Sequence, residues 1–258
     1  MTPLIFFCGP QDANYGGLRR KGGEGERPRL NMEGCLPLQT MMQGDGPVAR
    51  NCRTIVWGYH KDARFDRDGR YNLFNLVADP HASVSALHVA DKLAALGCFQ
   101  RVFNHPDAVR QTRRDKAARL FDDIPGLAVP RVCQHAVGKP GGITDSVLEG
   151  GLTYPLIVRP AGLHGGEGMH RVDDAAALLA LADKLAADKD LLLIEFKDTR
   201  TADGLEQKLR IIFIDGDYYP RHYIFSDRWP IHARSRGGLM RENEAVRARE
   251  REFLQGFH

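Results

Sequence analysis

The residues best equipped for chemistry lie between Pro155 and Gly168. An apolar run, Leu156-Ile157-Val158, ends in the cation Arg159 and passes into a loop carrying Gly162, Gly165, Gly166 and Gly168. Glycines remove the Cβ atoms that would keep an anion away from backbone N–H groups. A cation at a strand end adds charge-assisted hydrogen bonds to phosphate or carboxylate oxygens. No Gly-Lys-Ser/Thr follows, so the loop is not a Walker A. A short strand near Met169 rather than a helix comes next, so it is not a dinucleotide fingerprint either. Taken alone, it serves equally as a plain glycine-rich hairpin. A later polar group, His222, Tyr223, His232 and Arg234, could hold a carboxylate or simply pack at the surface. Its spacing is not that of a zinc site on a helix.

The elements that would position these groups read as follows. Arg53 is where order is expected to begin, with short runs Thr54–Trp57 and Tyr71–Val77 as strands. Ser83 to Leu96 has one apolar face, through Leu87, Ala90 and Leu93, and Gly97 is placed to stop it as a helix. Phe99–Phe103 returns as a strand, which makes a strand–helix–strand layer of parallel type. A helix is expected from Asn104 to about Asp123, with Pro106 in its first turn. Leu127–Cys133, Tyr154–Arg159 and Leu191–Phe196 read as strands, and Asp173–Ala187 as an Ala/Leu helix capped by Asp173. Lys208–Ile214 and Tyr218–Phe225 pair across Asp215-Gly216, a type I′ hairpin signal. Met240–Leu254 reads as one charged, exposed helix. Residues 11–50, with Gly16-Gly17, Gly22-Gly23 and Gly25, carry almost no apolar periodicity and are expected to be largely irregular or disordered. Leu4–Cys8 before them is either a short strand or part of a disordered start.

Composition narrows the class. Of the 258 residues, 43% are hydrophobic and 27% charged, as in globular proteins. No apolar run reaches the ~20 residues that a membrane span needs. A formal net charge of +3, with cations and acids interleaved, does not point to nucleic acid. The cysteines Cys8, Cys35, Cys52, Cys98 and Cys133 are odd in number and show no CxxC spacing. That argues against a disulfide framework or zinc, and the reading is a cytoplasmic protein.

In order and spacing, four stretches resemble the ATP-grasp superfamily, in its glutathione synthetase-like and ribosomal-modification-type branch. They are Arg114-Asp115-Lys116 before Pro125–Pro130, Pro155–Gly168, Leu191–Phe196, and Lys208-Leu209-Arg210 through Gly216. The resemblance implies an α/β (α+β) fold: a two-lobed nucleotide-binding module behind a small N-terminal α/β, pre-ATP-grasp-like subdomain. Residues 1–52 would be irregular, 53–104 the partial subdomain and 105–258 the ATP-grasp-like domain. It implies that ATP and a small carboxylate are bound, and that an acyl-phosphate then yields an amide. Arg159, with Arg114 or Lys116, would neutralise the phosphates. The loop His164, Gly165, Gly166 and Gly168 would close over them. Glu195 and Phe196 would read the adenine edge, and Arg210 would stabilise charge on the acyl-phosphate. On the residues alone, Arg114 and Lys116 are equally a solvated helix face, and Arg210 an exposed strand arginine paired with Glu206.

One part of the pattern is missing. The family implies Mg²⁺, held by carboxylates on strands that would follow the charged helix, and no such ligands are found here. Glu242-Asn243-Glu244 stands in the wrong place and reads as surface charge. The expectation is a domain incomplete at its C-terminal end, the remnant of a longer product. The alternatives are a partner chain that completes the site, or a nucleotide or partner binder without turnover.

Overall fold

In a computed structural model, the chain divides into two compact units, residues 1–129 and 130–258. The structure describes residues 2–12, 19–21, 29–31, 35–36, 50–58, 66, 68–139, 142–163, 166–185 and 189–257.

The first unit contains β1 (Leu4–Cys8), β2 (Arg19–Lys21), β3 (Arg29–Asn31), β4 (Cys52–Val56), β5 (Tyr71–Asn75), α1 (Val84–Ala94), β6 (Phe99–Phe103), α2 (Pro106–Gln111) and α3 (Arg114–Leu120). Its main sheet is parallel, in the order β4-β1-β5-β6. Order therefore starts at Leu4, not near Arg53, and β1 lies inside the sheet. Ile5 and Phe7 pack with Leu73 and with Ala86, Leu87 and Ala90 of α1 on one side. Phe6 and Cys8 pack with Val56 and Leu76 on the other. A strand covered on both faces is apolar throughout, which is why Leu4–Cys8 shows no alternation to read. Each such side chain contributes about 1.5–3 kcal/mol by leaving water. Within the region expected to be irregular, β2 and β3 form an antiparallel pair and Cys35 bridges to Val77; apart from residues 11, 12, 36 and 50, the rest of it lies outside the described residues.

Ser83, the residue before α1, makes no side-chain cap. The carboxylate of Asp12 takes its place and accepts from the amides of Val84 (3.0 Å) and Ser85 (3.1 Å). The single helix expected over 104–123 is two. Arg113 is extended between them, and the Thr112 hydroxyl donates to the Val109 carbonyl at 2.7 Å.

The second unit contains β7 (Val132–His135), α4 (Ile143–Glu149), β8 (Leu156–Pro160), β9 (His170–Val172), α5 (Ala175–Ala182), β10 (Leu191–Glu195), β11 (Glu206–Ile214), β12 (Asp217–Ser226), a 3-10 turn (Ala233–Gly237), α6 (Leu239–Glu242) and α7 (Glu244–Gly256). Four strands form an antiparallel sheet in the order β7-β10-β8-β9. Leu156, Val158, Val172, Leu191 and Leu193 pack with residues of α4 and α5. Strand alternation turns Ile157, Arg159, Leu192 and Ile194 to the opposite face. β7 starts later than expected: Pro130 has no N–H to give a ladder, and pairing begins at Val132↔Ile194. Asp174, not Asp173, caps α5, accepting from the Ala177 amide at 2.7 Å.

β11 and β12 form a separate two-stranded ribbon. Asp215 (φ 51°) and Gly216 (φ 92°) both take positive φ, as a type I′ turn requires. The helix expected over 240–254 breaks at Asn243, which is extended and caps α7 by accepting from the Val246 amide at 3.2 Å. α7 buries Val246 and Glu250 and leaves Glu244, Arg251 and Glu252 exposed.

Candidate functional site

Arg159 stands next to last in β8, directly across from Leu192 of β10, on the sheet face that α4 and α5 leave. It is 6% exposed. One guanidinium nitrogen donates to the carbonyl of Leu163, so the cation at the strand end holds the start of the glycine loop. At the loop's far end, Gly168 takes φ +63°, and a Cβ there would stand 3.0 Å from Pro160 Cδ and 3.2 Å from Leu163 Cδ1. Only glycine fits that close return of the loop onto its own strand. His164 and Gly165 lie outside the described residues.

The loop leads on to the ribbon. A Cβ at Gly166 would be 3.7 Å from His232 Cδ2. The neighbouring Ile231 carbonyl accepts from the Lys208 ammonium at 3.3 Å. Lys208 and Arg210 are two apart on β11 and so share a face, and Arg210 is directly across from His222 on β12. No carboxylate pairs with Lys208 or Arg210 among the described residues, and the Arg210–Glu206 pair, the alternative to a binding role for Arg210, is not formed. Burial and the charge of Arg210 lower the Lys208 pKa. Partial burial, then Arg210, Arg236 and Lys208, push the His222 pKa down, with Glu250 opposing. The His222 Nε2 is enclosed and makes no hydrogen bond. Glu250 is itself engaged: it accepts from the Tyr223 amide at 3.0 Å and pairs with Arg236.

Glu195 and Phe196 end β10. The Lys197 ammonium, 2.6 Å away, holds the Glu195 carboxyl below its ordinary range. Its other oxygen accepts from the Arg131 amide at 3.1 Å. The amide of Glu195 donates to the Arg131 carbonyl (2.9 Å) and that of Phe196 to the Pro155 carbonyl (3.3 Å). What this corner offers a flat ring is therefore the Phe196 side chain. The Arg171 guanidinium lies 4.4 Å from its centroid and Trp229 meets it edge-on at 6.3 Å.

Arg114 and Lys116 stand on α3, in the first unit. Burial first, then Arg113, lower the His81 pKa there, and Arg114 adds a smaller push in the same direction. Sequence reasoning missed Arg171, Trp229 and Glu250 as parts of the second unit's polar architecture. Lys208 was quoted in its motif without a role, although its two-residue spacing from Arg210 places both on one strand face.

No protein-family model matches this sequence, and no curated protein matches it. Solved structures do resemble it. A RimK domain protein ATP-grasp from Sphaerobacter thermophilus is 18% identical over 76% of this chain and 65% of that one, with a TM-score of 0.40. D-alanine–D-alanine ligase from Bacillus anthracis, complexed with ATP, is 12% identical over 91% of this chain and 69% of that one, with a TM-score of 0.48. Carboxyaminoimidazole ribonucleotide synthase from Aspergillus clavatus, complexed with ATP, is 10% identical over 88% of this chain and 55% of that one, with a TM-score of 0.46. The chain thus spans just under two thirds of the Sphaerobacter protein and about half of the Aspergillus one. At such identities no residue here takes a role from them. The fold itself is mixed α/β, with a parallel sheet in one unit and an antiparallel sheet in the other. No helix among the described residues is long and apolar enough to cross a membrane.

Proposed function

We propose that the second unit binds ATP, with its phosphates between the Gly166–Gly168 loop and the Lys208/Arg210 face, and that the chain is part or all of an ATP-grasp-type carboxylate–amine ligase. One observation carries this reading. The loop, anchored by Arg159 through the Leu163 carbonyl, passes His232 closely enough that a Cβ at Gly166 would meet its ring, and the adjoining Ile231 carbonyl takes the Lys208 ammonium. The loop backbone and the Lys208/Arg210 face, to which no carboxylate is paired among the described residues, together suit a polyanion. Phe196, backed by Arg171, supplies an aromatic plane for the base. ATP would transfer phosphate to a small carboxylate, and Arg210 would stabilise the acyl-phosphate, so catalysis would rest on positioning and charge.

A second reading, nucleotide binding without turnover, is favoured by the carboxylates. Among the described residues no three metal-ligating side chains gather. Four acids of the second unit are paired with cations: Glu195 with Lys197, Asp198 with Arg200, Asp173 with Arg171, and Glu250 with Arg236. These residues do not fit a magnesium site, and no step is assigned to a metal.

Calorimetric titration of the full chain with ATP separates the readings. Measurable affinity, weakened in Arg159→Gln by about 1–3 kcal/mol, is expected. ADP release with a carboxylate and an amine supports ligation, and binding without release supports the second reading. A wild-type chain that binds no ATP overturns both.

A further inference from the structure

One face of the β11–β12 ribbon carries an exposed aromatic knob with a pocket beside it. Phe213 is directly across from Tyr218, so both side chains point to the same face. Tyr218 meets Phe257 edge-on, with ring centroids 5.3 Å apart, which makes this the face that α7 packs on. Phe257 packs on Phe253 at 5.0 Å, and Phe253 on Tyr223 at 5.1 Å. α7 therefore runs toward the ribbon tip, and it leaves Phe213 exposed. Against its last turns lies an open pocket of about 360 Å³, lined by Arg249, Glu252, Phe253, Gly256 and Phe257. A benzene ring fits a cavity of about 150 Å³, so the pocket has room for a phenylalanine side chain. It is poorly equipped for a small polar ligand. Its floor is aromatic, and Arg249 already donates to Asp203 at 2.9 Å and lies 4.2 Å from the Phe225 centroid.

We propose that this face is a dimer interface and that its occupant is a second copy of the chain. A two-fold axis midway between knob and pocket sets each Phe213 into the other copy's pocket. Both pockets fill at once, so the contact is isologous and the assembly closes at two. Charge supports the same arrangement. Outward from Phe213 the ribbon reaches Asp215 and Asp217, and neither forms an ion pair among the described residues. In the opposite direction, α7 leads from Phe253 back to Arg249. The step from Phe213 to Asp215 spans about 7 Å of strand, and that from Phe253 to Arg249 about 6 Å of helix. The rotation that seats Phe213 therefore brings the acidic turn to the other copy's Arg249. That guanidinium has donors left for a second carboxylate. Glu252, beside Phe253, offsets part of the attraction. The proposal does not depend on the ATP reading.

Sedimentation velocity of the full chain over a wide concentration range, without nucleotide, is the test. The wild type is expected to pass from monomer to dimer and no further. Gly256→Leu fills the pocket, and a Cβ at Gly256 meets nothing within 4 Å, so the fold is kept. Gly256→Leu and Phe213→Ser should each weaken dimerisation by about tenfold or more. Asp217→Arg and Arg249→Asp should each weaken it, and the two together should restore it. Should Arg249→Asp unfold for want of its Asp203 pair, as circular dichroism would show, Gly256→Leu still decides. A chain that stays monomeric at every concentration, assemblies that grow beyond two copies, or a dimer indifferent to both Gly256→Leu and Phe213→Ser overturns the proposal.

Discussion

Arg210 faces His222 because of a single irregularity. Counting back from the Asp215-Gly216 turn, an unbroken ladder would set Arg210 against Arg221, but the register shifts between Arg210 and Ile211. Pro220 stands at that point, a residue that cannot donate to a ladder. The turn was legible in the sequence, as was the shared face of Lys208 and Arg210. The bulge was not, because its cost and gain depend on what packs around it. The same limit applies to Glu250, one acid among many on a charged helix, yet 7% exposed and tied to β12. The histidines give a test at this scale. Burial leads the causes that lower the pKa of both His81 and His222. As pH falls through the ordinary histidine value of about 6.5, the unfolded chain takes up protons that the folded chain refuses. Stability is therefore full above that value and declines as pH falls toward the folded pKa, by at most about 1.4 kcal/mol per pH unit for each proton. Urea midpoints at pH 7.5 and 5.5 should show the drop, and His222→Gln should reduce it. A midpoint that rises on acidification contradicts the assignment.

At the scale of elements, the glycine loop and the cap of α7 make separate predictions. The loop's glycines were readable as a motif, but the particular need at Gly168 comes from Pro160 and Leu163, which only the folded return brings close. Gly168→Ala must hold a positive φ and displace those atoms, at a cost of about 1–3 kcal/mol. Denaturant unfolding should register the loss, and ATP titration should show weaker binding. Asn243→Ala should cost about 1 kcal/mol in the same unfolding experiment, the usual price of an N-cap, with ATP affinity unchanged. Helices 104–123 and 240–254 each read as one because no Gly or Pro interrupts 107–123 or 240–254. An extended Arg113 or Asn243 leaves no such mark. Leu4–Cys8 hides for a different reason, since a strand buried on both faces has no period to detect.

Across the whole molecule, each unit holds its own core, Ile5, Phe7, Leu73 and Leu87 in the first, and Leu156, Val158, Leu178 and Leu193 in the second. Strand–helix–strand order made the parallel layer legible; the role of β1 in it was not. The ribbon tip leaves Phe213 73% and Ile214 58% exposed, with Tyr218 and Tyr219 across from Phe213 and Ile212. Contiguous apolar surface of this kind promotes association, so Phe213→Ser with Ile214→Ser should lower concentration-dependent light scattering without altering ATP affinity. The central claim is that the loop and the ribbon's cations serve one polyphosphate. Its most direct test is calorimetry of ATP and of adenosine against the wild type and the Lys208→Ala/Arg210→Ala double variant. The account predicts that the double variant loses at least about tenfold in ATP affinity, roughly 1.4 kcal/mol, and holds its adenosine affinity. Equal ATP affinity in the two proteins would contradict it.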